Sequence, residues 1–179
     1  MKLKQKLIEL RACSEAIEWV GTKTLKTAWK TCENGNWMIW MSFKMKDQPG
    51  WSDIKEITLA KVRHARLVQH LMKDQRSLDG LDIAERWAKN EATDEELKTA
   101  YAAAYAAAYA ADDAAAAYAA YAAAAAAVAA AYAAAAAVAA DDAAYAAAAY
   151  AAADDAAAKK NILKQCADIC RETLKTGKL

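Results

Sequence analysis

The chain of 179 residues has one proline, one phenylalanine, two histidines and five glycines. So few breakers and turn formers argue against a loop-rich or hairpin-built protein, and nothing reads as a β-strand. There is no glycine-rich phosphate loop, no CxxC pair, no nucleophile–base pair and no triad candidate, so the chain reads as non-enzymatic. His64 and His70 lie six apart and point in different directions on a helix, so they do not form a zinc pair. His64 shares a face with Val68 and Leu71 and is expected as an inner, hydrogen-bonded histidine, His70 as a solvated one. Cys166 and Cys170, four apart, have poor disulfide geometry, and with Cys13 and Cys32 they read as buried apolar thiols rather than metal ligands. No cofactor and no metal are expected. Met1 to Lys6 carry charge without an apolar run, so no secretory signal is expected and the expected compartment is the cytoplasm.

Residues 100–158 contain no lysine, arginine, glycine or proline; 43 of these 59 residues are alanine, and the others are eight tyrosines, two valines and six aspartates in three pairs. Alanine loses no side-chain entropy and has the highest helix propensity, so this tract is predicted to be helical. Its surface is thin and packs only by close approach. One helix from Asp94 to Ala158 would run about 97 Å, too long for a domain of this size. Aspartate is a poor interior residue and a good N-cap, so the pairs are expected to divide the tract into 94–111, 114–140, 143–153 and 156–176, folded into a closely packed array. The uncharged run 114–140 has the length of a membrane span but no Leu, Ile or Phe, and aspartate pairs flank it. A soluble helix is favoured, and no membrane contact is expected.

Charge is unevenly spread. Residues 1–99 carry 18 basic and 15 acidic groups, the tract 0 and 6, and residues 159–179 carry 6 and 2, which sum to +1. A nucleic-acid footprint needs clustered Lys and Arg, and the tyrosine-bearing tract has none, so nucleic acid is excluded as a partner. Tyr101, Tyr105 and Tyr109 form an i, i+4, i+8 stripe. Tyr118, Tyr121 and Tyr132 alternate with Ala125, Val128 and Ala135 as the seam of two antiparallel helices, and Tyr145 and Tyr150 follow. These eight rings are read as spacers between alanine faces or as a partner interface, and packing between copies satisfies both; a homo-oligomer is expected. Lys61, Arg63 and Arg66, with Lys73 and Arg76 nearby, are placed on the wetter side of a helix and are the candidates for an anionic ligand.

In chain order, Leu3, Leu7, Leu10 and Ile17 predict a first amphipathic helix ended by Gly21. A second carries Leu25, Ala28, Trp29 and Cys32 and is stopped by Asn34-Gly35. Asn36 is expected to cap a third, Trp37 to Met45, apolar nearly all round and therefore central to the core. After the turn at Asp47 to Gly50, Ser52 is expected to cap a helix reaching about Lys73. Asp79-Gly80 punctuates the chain, and Leu81 to Trp87 mark a fifth helix. Thr93 and Glu96 form a capping box that launches Leu97 and the tract. Lys159 to Thr176 is the last helix, ended by Gly177. The fold expected is all-α, a multi-helix bundle in one domain over 1–179, with a Trp/Met-rich part (1–92) and an alanine-rich part with a basic last helix (93–179).

Leu10 to Cys13, Ala16, Glu18 to Val20, Leu25, Ala28-Trp29, Cys32, Asn36 to Met38 and Trp40, with Ala92 to Leu97 before the alanine array, resemble the immunity proteins of bacterial polymorphic toxin systems, whose relatives also occur in phage genomes. The specific part covers roughly residues 8–40 and 92–97. The resemblance implies an all-α, non-enzymatic protein that neutralises a toxin by stoichiometric binding. Two other readings stand beside it: a scaffold assembling through the alanine/tyrosine helices, and a small-ligand sponge with a pocket lined by tyrosines, tryptophans or Lys61, Arg63 and Arg66.

Overall fold

The computed structural model describes residues 2–110 and 156–179, with side chains at all of these except 108–110, 156, 158 and 159. Every regular element among them is helical: α1 Leu3–Glu9, α2 Ser14–Val20, α3 Leu25–Thr31, α4 Gly35–Met45, α5 Ile54–Arg66, a 3-10 turn Gln69–Leu71, α6 Gln75–Ala88, α7 Asp94–Ala110 and α8 Ala156–Thr173. Helix α4 packs on α5 and α8, α5 on α6, and α6 on α7. Tyr118, Tyr121, Tyr132, Tyr145 and Tyr150, the side chain of Tyr109, the expected helices 114–140 and 143–153 and all three aspartate pairs lie outside the described residues.

Three apolar clusters hold these helices. Ile39, Phe43, Ile57, Ala60, Ala167 and Cys170 join α4, α5 and α8. Leu81, Ala84, Trp87, Leu97 and Ala104 join α6 to α7. Leu3, Leu7, Val20, Ala28, Met41 and Met45 join the three short N-terminal helices to α4. Helix α4 is buried along nearly its whole length, as its all-round apolar sequence predicts.

The capping box of α7 is present: Thr93 N–H donates to Glu96 Oε2 at 2.8 Å, and Glu96 N–H donates to Thr93 Oγ1 at 3.2 Å. Several expected boundaries are corrected. The first amphipathic run is two helices. Ala12 N–H donates to Leu7 O (2.9 Å) and Arg11 N–H to Ile8 O (3.0 Å), a Schellman closure with Arg11 in the left-handed region at φ 61°. The apolar spacing stays in phase across this break, so periodicity alone does not show it. Asn34-Gly35 opens α4 instead of only closing α3: Asn34 Oδ1 accepts the N–H groups of Asn36 (3.1 Å) and Trp37 (3.4 Å). Gly35 sits there because a Cβ would lie 2.3 Å from Cys166 Cβ on α8.

The cap of α5 is Asp53, boxed with Glu56, while the Ser52 hydroxyl accepts the Lys175 N–H at 2.7 Å. Helix α5 stops at Arg66 and gives way to the 3-10 turn. Asp79-Gly80 lies within α6, because α7 passes so close that a Cβ on Gly80 would be 3.1 Å from Ala104 Cβ. Helix α8 ends at Thr173, and Gly177 instead seats against Pro49 and Trp51.

Candidate functional site

The short helices leave a cavity. Helices α1, α2 and α3 present Leu7, Ala16, Trp19 and Trp29 toward α4, whose first turns present Trp37, Trp40 and Met41; Leu163 of α8 closes one side, and about 650 Å³ lies between them. The cavity lies where three seven-residue helices, two of them carrying a tryptophan, face the eleven-residue α4. Trp19 and Trp37 stand 5.8 Å apart, tilted by 52°, and Trp29 meets Trp51 edge-on at 6.4 Å. Lys23 Nζ lies 4.3 Å from the Trp19 ring centre and donates to the Trp19 carbonyl.

Behind the cavity wall, Arg171 of α8 donates to the carbonyls of Trp29 (3.2 Å) and Cys32 (2.8 Å), which fixes the end of α3. The Cys32 thiol donates to Asn34 O at 3.3 Å, and burial pushes its pKa up, so it stays a thiol. Among the described residues Arg11 is the one charged residue in the lining, and no carboxylate lines it. The buried Asn36 Oδ1 has no hydrogen-bond partner among the described residues.

The expected anion group is not assembled as a site. Lys61 is fully buried on the inner side of α5, with Nζ 5.9 Å from the Phe43 ring centre, which corrects its expected wet position. Arg63 donates to Glu172 (2.5 Å) and Thr173 Oγ1 (2.6 Å) on α8. Arg66 donates to Asp82 (2.8 Å) and Glu85 (2.7 Å) on α6. Each of these guanidinium groups therefore already faces a carboxylate of its own fold, and Arg63 and Arg66 tie α5 to different neighbours. Tyr101 is half-buried against the α6–α7 cluster, Tyr105 is 38% exposed, and their rings stand 5.7 Å apart, so the start of the expected stripe is in place.

His64 is an inner histidine as expected. Its Nε2 lies 2.9 Å from the Cys166 carbonyl and 3.6 Å from Cys170 Sγ. Burial lowers its pKa to about 4 and raises Cys166 to about 12 and Cys170 well above the ordinary thiol value. A neutral imidazole among neutral thiols makes a packed core, and no group of three or more metal-ligating side chains occurs among the described residues. His70 is exposed, as is Cys13 at the cavity rim, which corrects the expectation that all four thiols are buried.

Of the expected pocket linings (tyrosines, tryptophans or Lys61, Arg63 and Arg66), the tryptophans line this cavity, together with Arg11, which the sequence did not single out as a binding residue. Among the described residues no helix is long and apolar enough to cross a membrane. No family model, curated protein or solved structure matches the chain.

Proposed function

We propose that the chain is a non-enzymatic binding protein that acts by stoichiometric capture, with the tryptophan-lined cavity as its binding site. One observation carries this reading. Of the 16 residues between Leu10 and Trp40 on which the resemblance to immunity proteins rests, all but Leu10 and Glu18 line this one cavity. These residues also pack the N-terminal core, and their convergence from three helices and the start of a fourth on one opening is what a binding site requires. On the immunity reading the partner is a toxin, and an aromatic or aliphatic anchor of that toxin enters the cavity, as anchors do at the centre of protein interfaces.

A second reading is favoured by the cavity itself. Its volume of about 650 Å³ falls among pockets that hold metabolite-sized molecules, and its lining is mostly apolar with few polar groups. The protein then acts as a sponge for a small ligand. Native mass spectrometry of the chain as isolated from cells tests capture. The expected result is a second species bound one to one, lost in Trp37→Ala. Catalytic turnover, or a complex that survives Trp37→Ala unchanged, contradicts the reading.

A further inference from the structure

We propose that the cavity takes a small planar anion, an aromatic ring system carrying a carboxylate, sulfonate or phosphate; this rests on the small-ligand reading above. The body of the ligand follows from the walls. Four indole rings with leucine and methionine between them offer flat, polarisable surface, which flat rings cover best.

The charge follows from what the lining holds and lacks. Among the described residues Arg11 is its only charged residue, and no carboxylate lines it there. The Arg11 guanidinium has no ion pair or hydrogen bond among the described residues, whereas Arg63, Arg66, Arg76, Arg86 and Arg171 each have one. The indole N–H groups of Trp19, Trp29, Trp37 and Trp40 likewise donate to no acceptor among the described residues, while Trp87 N–H donates to Asp94 at 2.7 Å. A lining with donors to spare complements a ligand rich in acceptors.

Backbone geometry fixes the arginine at this point. The Schellman closure holds Arg11 at φ 61°, a conformation in which glycine or asparagine is the ordinary choice; Asn90 occupies the equivalent position after α6 at φ 66°. A β-carbon kept in the left-handed region at the mouth of an apolar cavity points to the side chain itself being needed. Longer-range charge agrees. Residues 1–36 carry seven basic and four acidic groups (+3) and residues 159–179 six and two (+4), so the segments that build the cavity are basic while the tract is acidic. Such a field draws anions toward the site.

The test uses the full chain and two probes that share a ring body and an N–H, anilinonaphthalene sulfonate and uncharged phenylnaphthylamine, followed by fluorescence. Both should bind one to one, the sulfonate about tenfold tighter or more, as a charge-assisted contact implies. Arg11→Gly keeps the backbone conformation and should bring the sulfonate down to the affinity of the amine without changing the amine. Arg11→Lys should retain part of the difference, and Trp37→Ala should weaken both probes. Equal affinities in the wild type, or a sulfonate affinity unchanged in Arg11→Gly with circular dichroism intact, overturn the anion proposal and leave an apolar occupant. Failure of both probes to bind one to one overturns the cavity as a site altogether.

Discussion

Helix α7 approaches α6 most closely where Ala104 lies over Gly80, with Leu81, Trp87 and Leu97 around that contact, whereas α1, α2 and α3 meet α4 through tryptophan, methionine and leucine. The small-residue contact is close: Ala100 and Ala104 come down on α6, Leu97 fills the remaining depth with 0% exposure, and the Trp87–Asp94 hydrogen bond pins the first turn of α7. Around this short-range contact Leu81, Trp87 and Leu97 pack into one buried cluster. Large rings on seven-residue helices do the opposite. They pack the N-terminal region yet leave a cavity of about 650 Å³ behind. Close packing of small groups gives rigidity, and imperfect packing of large ones gives a site.

Changes to each contact should separate the two regions. The largest effect is expected from Gly35→Ala, whose new Cβ would meet Cys166 Cβ at 2.3 Å and the Cys166 carbonyl carbon at 2.6 Å. Backbone cannot yield there, so a loss of about 3 kcal/mol or more is expected in urea unfolding. Leu97→Ala, which empties the centre of the small-residue contact, should cost about 3 kcal/mol with α7 the first element to lose hydrogen-exchange protection. A comparable loss is expected on acidification. His64, at the seam between α5 and α8, has a folded pKa of about 4 against an ordinary 6.5. The unfolded chain takes its proton first as pH falls, so this contribution is whole above pH 6.5 and shrinks by about 3 kcal/mol on the way to pH 4. In His64→Gln that slope should vanish from the pH dependence of the denaturation midpoint.

Smaller effects sharpen the contrast. Gly80→Ala places a Cβ 3.1 Å from a single methyl group, so a shift of a few tenths of an ångström in α7 accommodates it. The gain of alanine over glycine inside a helix offsets the crowding, and the change in stability should stay within about 1 kcal/mol. Arg11→Gly should raise stability by up to about 1 kcal/mol in thermal unfolding, because glycine occupies φ 61° without the Cβ clash. A loss of stability in Arg11→Gly would mean that the arginine supports the fold rather than the cavity.

The all-α class, the central place of α4, the capping box at Thr93 and the inner position of His64 are legible in the sequence, since each follows from propensity, periodicity or a local motif. The break at Arg11, the capping of α4 by Asn34 and the continuity of α6 through Gly80 are not, for related reasons. Gly35 and Gly80 are glycines because of helices far along the chain, α8 and α7, so a local reading takes them as turn signals. Arg11 gives no turn signal at all, and the apolar rhythm runs on through it. Lys61 shows the same limit: its spacing on α5 fits a wet face, but the packing of α4 covers it. The cavity is partly legible, because Trp19, Trp29, Trp37 and Trp40 are its wall. That they converge depends on the angles between α1, α2, α3 and α4, which no local pattern encodes.

The central claim is that the N-terminal cavity, and not the tyrosine-bearing helix, is where this protein binds. Native mass spectrometry of the full chain with excess anilinonaphthalene sulfonate tests it most directly, comparing the wild type with Trp37→Ala and Tyr105→Ala. The account predicts one adduct per chain in the wild type and in Tyr105→Ala, and none in Trp37→Ala. An adduct retained in Trp37→Ala and lost in Tyr105→Ala would contradict it.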